Sequence, residues 1–267
     1  MKDEAEYKGD GAAVDSGARR CRGAGGGIAI LPVEGLPEIV EGDDLAALIA
    51  DAVELHDGDV VCIAQKVVSK AEGRVVRLDE VEPSEEATQL AGHDGDPRRI
   101  EVVLRESARV VRSRPPLVIA ETRQGFVCAS AGVDASNAPA PDTVVLLPDD
   151  PDASAARLRA ALESCTDRSL GVIVTDTFGR AWRVGITNVA IGAAGIEVLR
   201  DMRGVYDPTG YELHSTVIAI ADEIAAAAEL VMGKTERIPA AVVRGIQVSG
   251  SGTAAELVMP PEHDLFR

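Results

Sequence analysis

Aromatic residues are scarce. They make up 3% of a 267-residue chain in which 46% of residues are hydrophobic. The core must therefore be filled by Val, Ile, Leu and Ala. Cysteine is also rare and dispersed: Cys21, Cys62, Cys128 and Cys165 form no CxxC pair. That spacing argues against a zinc knuckle and suggests no disulfide framework. No apolar stretch approaches the roughly 18 residues of a membrane span without polar interruption, and no signal peptide is visible. The expectation is a cytoplasmic protein with no membrane partner. Positive charge is in short supply, with 27 basic against 44 acidic residues and a formal net charge of −17, and few of the cations are lysine. Such a surface repels nucleic acid and anionic membranes. A nucleotide or carboxylate substrate would need local cations or a metal. The acidity itself reads as a solubility adaptation, in keeping with high salt.

The chain is long enough for one large domain or two modest ones. Residues 1–26 are polar, Gly-rich and without periodicity, and read as a disordered extension. A catalytic region is expected over 27–250, as one unit or as two closely packed subdomains, with a loose tail at 251–267. Gly27–Leu31, Val60–Ala64, Leu117–Glu121, Gly125–Ala129, Val144–Leu147, Leu170–Thr175 and Ala240–Arg244 read as strands. Asp43–Val53, 98–112, Asp152–Ser164 and Ser215–Met232 read as helices, the first with acids at its start. The segment 181–203 alternates glycine with small apolar residues, as a helix packed closely on backbone or a strand-loop-helix would. Without regular βαβ repeats the pattern predicts an α+β fold rather than a doubly wound sheet.

Two polar cassettes interrupt strand-like text. In Gly132-Val-Asp-Ala-Ser-Asn137, Asp134 is suited to a hard cation and Asn137 to a ligand hydrogen bond; an Asx-type turn is the other reading. In Thr175-Asp-Thr-Phe-Gly-Arg180, a carboxylate ends an apolar run, with Thr177 beside it. This resembles the lip of an active site, or else a turn with a surface ion pair. Arg180 and Arg183 are suited to phosphates or substrate carboxylates, and Trp182 between them to stacking or to packing. Lys66 and Lys70 flank Ser69 after a strand, placed to face a polyphosphate or simply solvent. Gly233-Lys234-Thr235 resembles the end of a phosphate loop, but residue 229 is Glu and the segment follows a helix. A P-loop is therefore rejected, leaving a cationic nucleotide-contacting loop or a glycine C-cap. His214 is either a base or structural. Ser130 and Ser136 lack a nucleophile elbow, so a serine triad has little support.

Four stretches together resemble the coenzyme F420-0:gamma-glutamyl ligase family: Gln65-Lys-Val-Val-Ser-Lys-Ala-Glu-Gly73, Gly125-Phe-Val-Cys-Ala-Ser-Ala-Gly-Val-Asp-Ala-Ser-Asn137, Thr175-Asp-Thr-Phe-Gly-Arg-Ala-Trp-Arg183 and Ala221-Asp-Glu-Ile-Ala-Ala-Ala-Ala-Glu-Leu-Val-Met-Gly233. The resemblance covers about 28–250, and the acidity is that of an archaeal, haloarchaeal member. It implies an unusual α+β fold, an intertwined homodimer, and a GTP-dependent ligase adding L-glutamate to F420-0 and then to F420-1. Magnesium or manganese and potassium are the implied ions. The implied metal ligands are Asp134, Asp176 and Thr177. The implied GTP contacts are Leu36, Pro37, Glu38, Ile39, Gln65, Lys66, Lys70, Asn137 and the run Met232, Gly233, Lys234, Thr235, Glu236, Arg237, Ile238, Pro239. Lys66, Lys70, Arg180 and Arg183 are the candidates for neutralising phosphate or gripping a substrate carboxylate. The chain departs from the family at Ile186, where glutamine is expected, and at His214, where arginine is expected; both bear on substrate-carboxylate recognition. A related ligase using another small carboxylic acid, or a non-catalytic F420- or nucleotide-binding protein, are the alternatives.

Overall fold

The computed structural model describes residues 27–265, so the extension expected over 1–26 lies outside the described residues. In chain order the strands are β1 (Ala29–Pro32), β2 (Val60–Ala64), β3 (Val75–Arg77), β4 (Ser107–Arg114), β5 (Leu117–Thr122) and β6 (Val127–Ala129). They continue as β7 (Thr143–Val145), β8 (Gly171–Arg180), β9 (Arg183–Ala194), β10 (Arg200–Asp201), β11 (Val217–Ile218) and β12 (Ala240–Arg244). The helices are α1 (Leu45–Ala52), α2 (Gln65–Ala71), α3 (Glu85–Ala91), α4 (Pro97–Glu106), α5 (Pro151–Thr166) and α6 (Ile220–Met232).

The central sheet has the order β1-β12-β2-β8-β9. Only β2 and β8 run parallel; the other neighbours are antiparallel. Helices cover both faces. Val61, Ile63, Val172, Val174 and Val242 share one core with Leu45 and Ile49 of α1 and Leu162 of α5. Val60, Cys62, Ile173, Ala241 and Val243 share the other with Ile220, Ile224 and Ala228 of α6. Burial on both faces is why β2 reads as an unbroken apolar run rather than an alternation.

A third core gathers from residues between β2 and β8 in sequence. Ile100 and Val103 of α4 pack on Val118 and Ala120 of β5 and on Val144 and Leu146. The three-stranded sheet β4-β5-β6 and the pair β3-β7 frame it. The architecture is mixed α and β, as an α+β reading requires. Among the described residues no helix is long and apolar enough to cross a membrane.

Several boundaries differ from the sequence reading. The helix expected over 98–112 stops at Glu106, and Ser107–Arg114 forms β4 against β5. Val110 and Val111 suit a strand as well as a helix, and the neighbouring strand decides. β8 does not end at Asp176 but runs to Arg180, because β9 pairs with it along its length. The 181–203 segment is chiefly β9, not a helix. Its glycines do serve close packing: a Cβ on Gly192 would lie 2.1 Å from the carbonyl oxygen of Pro151, at the start of α5. The long helix expected from Ser215 begins at Ile220, since Val217–Ile218 pairs with β10. Helix α3 had no counterpart in the reading. Beyond residue 250, Ala254 is fully buried and Thr253 and Glu256 form a capping box, which ties this stretch to the core.

Candidate functional site

Strand register assembles the site. Ala64 at the end of β2 lies opposite Thr175 of the parallel β8. Helix α2 starts at the next residue, Gln65, so Gln65 and Lys66 emerge directly beside Asp176 and Thr177. Antiparallel β12 begins at Ala240 opposite Ile63, which brings the preceding loop to the same sheet edge; Ala64 N donates to Pro239 O at 2.8 Å. Helix α6 ends there with Gly233 in a positive-φ conformation at its C-cap. The fourth side comes from the smaller core. Asp134 is fixed by a two-way backbone bridge to Val145, and the chain then turns through Asn137 at φ 55°.

The result is a cleft of about 720 Å³. It is lined by Leu36, Pro37, Glu38, Ile39, Gln65, Lys66, Lys70, Asn137, Asp176, Thr177, and by Met232, Gly233, Lys234, Thr235, Arg237, Ile238 and Pro239. Of the expected nucleotide contacts, Glu236 alone is outside this lining; its carboxylate turns back to accept from Thr235 N and Oγ1. Lys66, Lys70 and Lys234 are the three lysines among the described residues, and all three line the cleft. In an acidic chain otherwise supplied with arginine, this is a local concentration of compact, reorientable cations.

The charges are arranged in pairs. Lys66 Nζ lies 2.6 Å from Asp134 Oδ2 and donates to Ser136 Oγ at 2.6 Å. Ser136 N in turn donates to Asp134 Oδ1 at 2.7 Å. Burial by itself raises the Asp134 carboxyl, but the Lys66 and Ser136 hydrogen bonds hold it below the ordinary carboxylate value. Asp176 behaves in the opposite way. Burial, together with the nearby Asp134 charge, pushes it up to about 6 despite a hydrogen bond from the Thr177 backbone. Lys70 is 6% exposed, with Nζ 2.5 Å from Glu38 Oε1. Lys234 Nζ reaches Thr177 Oγ1 at 2.5 Å and Glu229 Oε1 at 2.7 Å.

Gln65 is buried, and its Oε1 accepts from Ser69 Oγ at 2.9 Å. Its Nε2 has no hydrogen-bond partner. A buried amide donor left over on a cleft wall fits a ligand rich in acceptors. Asp134 and Asp176 are near enough for the charge of one to act on the other, and Thr177 follows Asp176 in β8. Among the described residues no cluster of three or more His, Cys, Asp or Glu has metal-holding geometry. Carboxylate and hydroxyl oxygens are donors of the kind Mg²⁺ or Mn²⁺ takes, with water and phosphate oxygens completing the shell.

Other candidates lie elsewhere. Arg180 and Arg183 sit at the β8–β9 hairpin tip, outside the cleft lining. Trp182 is there too, 81% exposed, with Val184 fully exposed and Ile186 at 62%. His214 is exposed beside Glu212 and Tyr211, away from the cleft. Sequence reasoning missed Asn188 and Glu229, which both line the cleft. Asn188 falls in the unassigned 181–203 segment; its signal is its position opposite Thr177, which appears only with the strand register.

Comparison with known proteins gives a consistent result. The family model described as F420-0:gamma-glutamyl ligase matches residues 35–245, a span that includes every cleft residue named above. A coenzyme F420:L-glutamate ligase of Methanopyrus kandleri is 48% identical over 252 residues, covering 91% of this chain and 100% of that protein. Proteins of the same name from Methanothermobacter thermautotrophicus and Archaeoglobus fulgidus are 43% and 45% identical, each over 90% of this chain and 99% and 96% of their own lengths.

Proposed function

We propose that this chain, which belongs to the F420-0:gamma-glutamyl ligase family, is a GTP-dependent ligase. It adds L-glutamate to coenzyme F420-0, then to F420-1 through a gamma-glutamyl link. The observation that carries the reading is the convergence of Lys66, Lys70 and Lys234 with Asp176 and Thr177 in one cleft, in a chain of net charge −17. A polyanion can bind such a surface only where cations are gathered.

In this reading the F420-0 carboxylate oxygen attacks the γ-phosphorus of GTP. The bond from phosphorus to the bridging oxygen breaks, giving GDP and an acyl phosphate. The amine of glutamate then attacks the acyl carbon, the amide C–N bond forms, phosphate leaves and the amine proton is lost. Positioning and charge neutralisation dominate such chemistry. Lys66, Lys70 and Lys234 neutralise the phosphates, and the free Gln65 Nε2–H donates to the nucleotide. Asp134, Asp176 and Thr177 would hold Mg²⁺ or Mn²⁺, which supplies Lewis-acid charge neutralisation to phosphate oxygens. Potassium joins the proposal on the family resemblance alone.

The functional unit is proposed to be a homodimer. Support comes from the β8–β9 hairpin, which exposes Trp182, Val184 and Ile186 together; adjacent exposed apolar side chains mark an association surface. The role of Arg180 and Arg183 in gripping a substrate anion requires the hairpin tip to meet a second copy's cleft. Glutamate-dependent mass gain of F420-0 in the presence of GTP tests the activity directly.

A further inference from the structure

We infer that Asn188 is a positioning residue that locks the Thr177 hydroxyl with its lone pairs facing the cation side of the cleft. The inference rests on the reading of Asp134, Asp176 and Thr177 as the metal set.

A threonine hydroxyl has one proton and a rotor free to aim it. Here the proton is committed. Thr177 Oγ1 donates to Asn188 Oδ1 at 2.7 Å, across the β8–β9 pair in which the two residues stand opposite each other. The amide is itself fixed, because Asn188 Nδ2 donates to Thr175 Oγ1 at 3.3 Å. Asn188 is 3% exposed and Thr175 is 1% exposed, so the bond that fixes the amide is buried. With its proton turned into the sheet, Thr177 Oγ1 can offer only lone pairs to the cleft. A cation already uses them: Lys234 Nζ lies 2.5 Å from Thr177 Oγ1 and 3.5 Å from Asn188 Oδ1. The ammonium marks the face on which positive charge is accepted. Were the Asn188 carbonyl removed, the hydroxyl could swing its proton toward that face, and a hydroxyl proton opposes a cation.

The test is Mn²⁺ affinity of the purified full chain, read from the EPR signal of free Mn²⁺ with GDP present. Asn188→Leu keeps the side-chain size and removes the acceptor, whereas Asn188→Asp keeps an acceptor for Thr177. The expected result for Asn188→Leu is Mn²⁺ binding weaker by about five- to tenfold, the worth of one hydrogen bond, with the KM for Mn²⁺ rising more than kcat falls. Asn188→Asp is expected to bind at least as tightly as the parent. Thr175→Val frees the amide without touching the acceptor and is expected to act in the same direction with a smaller loss, so the test does not depend on Asn188→Leu folding. Parent-like Mn²⁺ affinity in both Asn188→Leu and Thr175→Val, while Asp176→Asn loses it, would overturn the inference. Parent-like affinity in Asp176→Asn would instead overturn the metal assignment beneath it.

Discussion

Lys66 and Asp134 come from different parts of the molecule and meet at 2.6 Å beside the cleft. Lys66 stands on the first turn of α2, at the edge of the central sheet, while Asp134 is pinned to Val145 in the smaller module. Their contact thus ties the two halves together at the proposed phosphate site.

Removing that cation should be severe. Lys66→Met leaves two nearby carboxylates facing an incoming polyanion. We expect GDP release to fall by about 10²-fold or more, the usual effect of losing one preorganised charge at a reacting centre. The melting temperature is measured in parallel and is expected to fall, since Asp134 loses its cation, so turnover is compared at a temperature where both proteins are folded. Turnover close to the parent's would exclude Lys66 from the phosphate site.

Asp176 gives a pH signature in metal-free protein. Its folded value is about 6 against an ordinary 3.8, so between those values the folded state holds the proton more tightly than the unfolded state. Stability therefore declines as pH rises through this window, and the penalty is complete above it. Its upper bound is roughly 3 kcal/mol. Asp176→Asn is expected to raise the melting temperature at about pH 8 and to leave it nearly unchanged below about pH 4. Equal shifts at both pH values would contradict the assignment.

Two glycines of the hairpin strands should behave oppositely. A Cβ on Gly192 meets the Pro151 carbonyl at 2.1 Å, whereas a Cβ on Gly179 meets nothing within 4 Å. Gly192→Ala should cost about 2 kcal/mol or more in urea melts through forced displacement of α5. Gly179→Ala should cost almost nothing.

The association surface is testable at Val184, which is fully exposed in the single chain. Light scattering on the parent is expected to give the mass of a dimer, and on Val184→Asp that of a monomer. A monomeric parent would remove the hairpin's proposed role.

Much of this was legible in the residues. Asp134, Asp176 and Thr177 stood out because polar side chains interrupt apolar runs, and β2 and α6 followed from local pattern. Helix α3 had a readable start as well: Ser84 caps it, accepting from Ala87 N, and Glu85 and Glu86 occupy its first turn, a favoured arrangement. What escaped reading was non-local. β8 continues past Asp176 only because β9 lies beside it, and β4 is a strand only because β5 is its partner. Asn188 comes to stand opposite Thr177 only through the strand register. None of these is encoded in a window of neighbouring residues.

The most direct test of the central claim incubates the purified protein with F420-0, L-glutamate and magnesium, with GTP or with ATP, at low and high potassium chloride. Mass spectrometry follows the deazaflavin while GDP is measured in parallel. The account predicts a glutamate-sized mass gain that requires GTP, with one GDP released per addition. Folded protein that binds GTP yet adds no glutamate to F420-0 would contradict it.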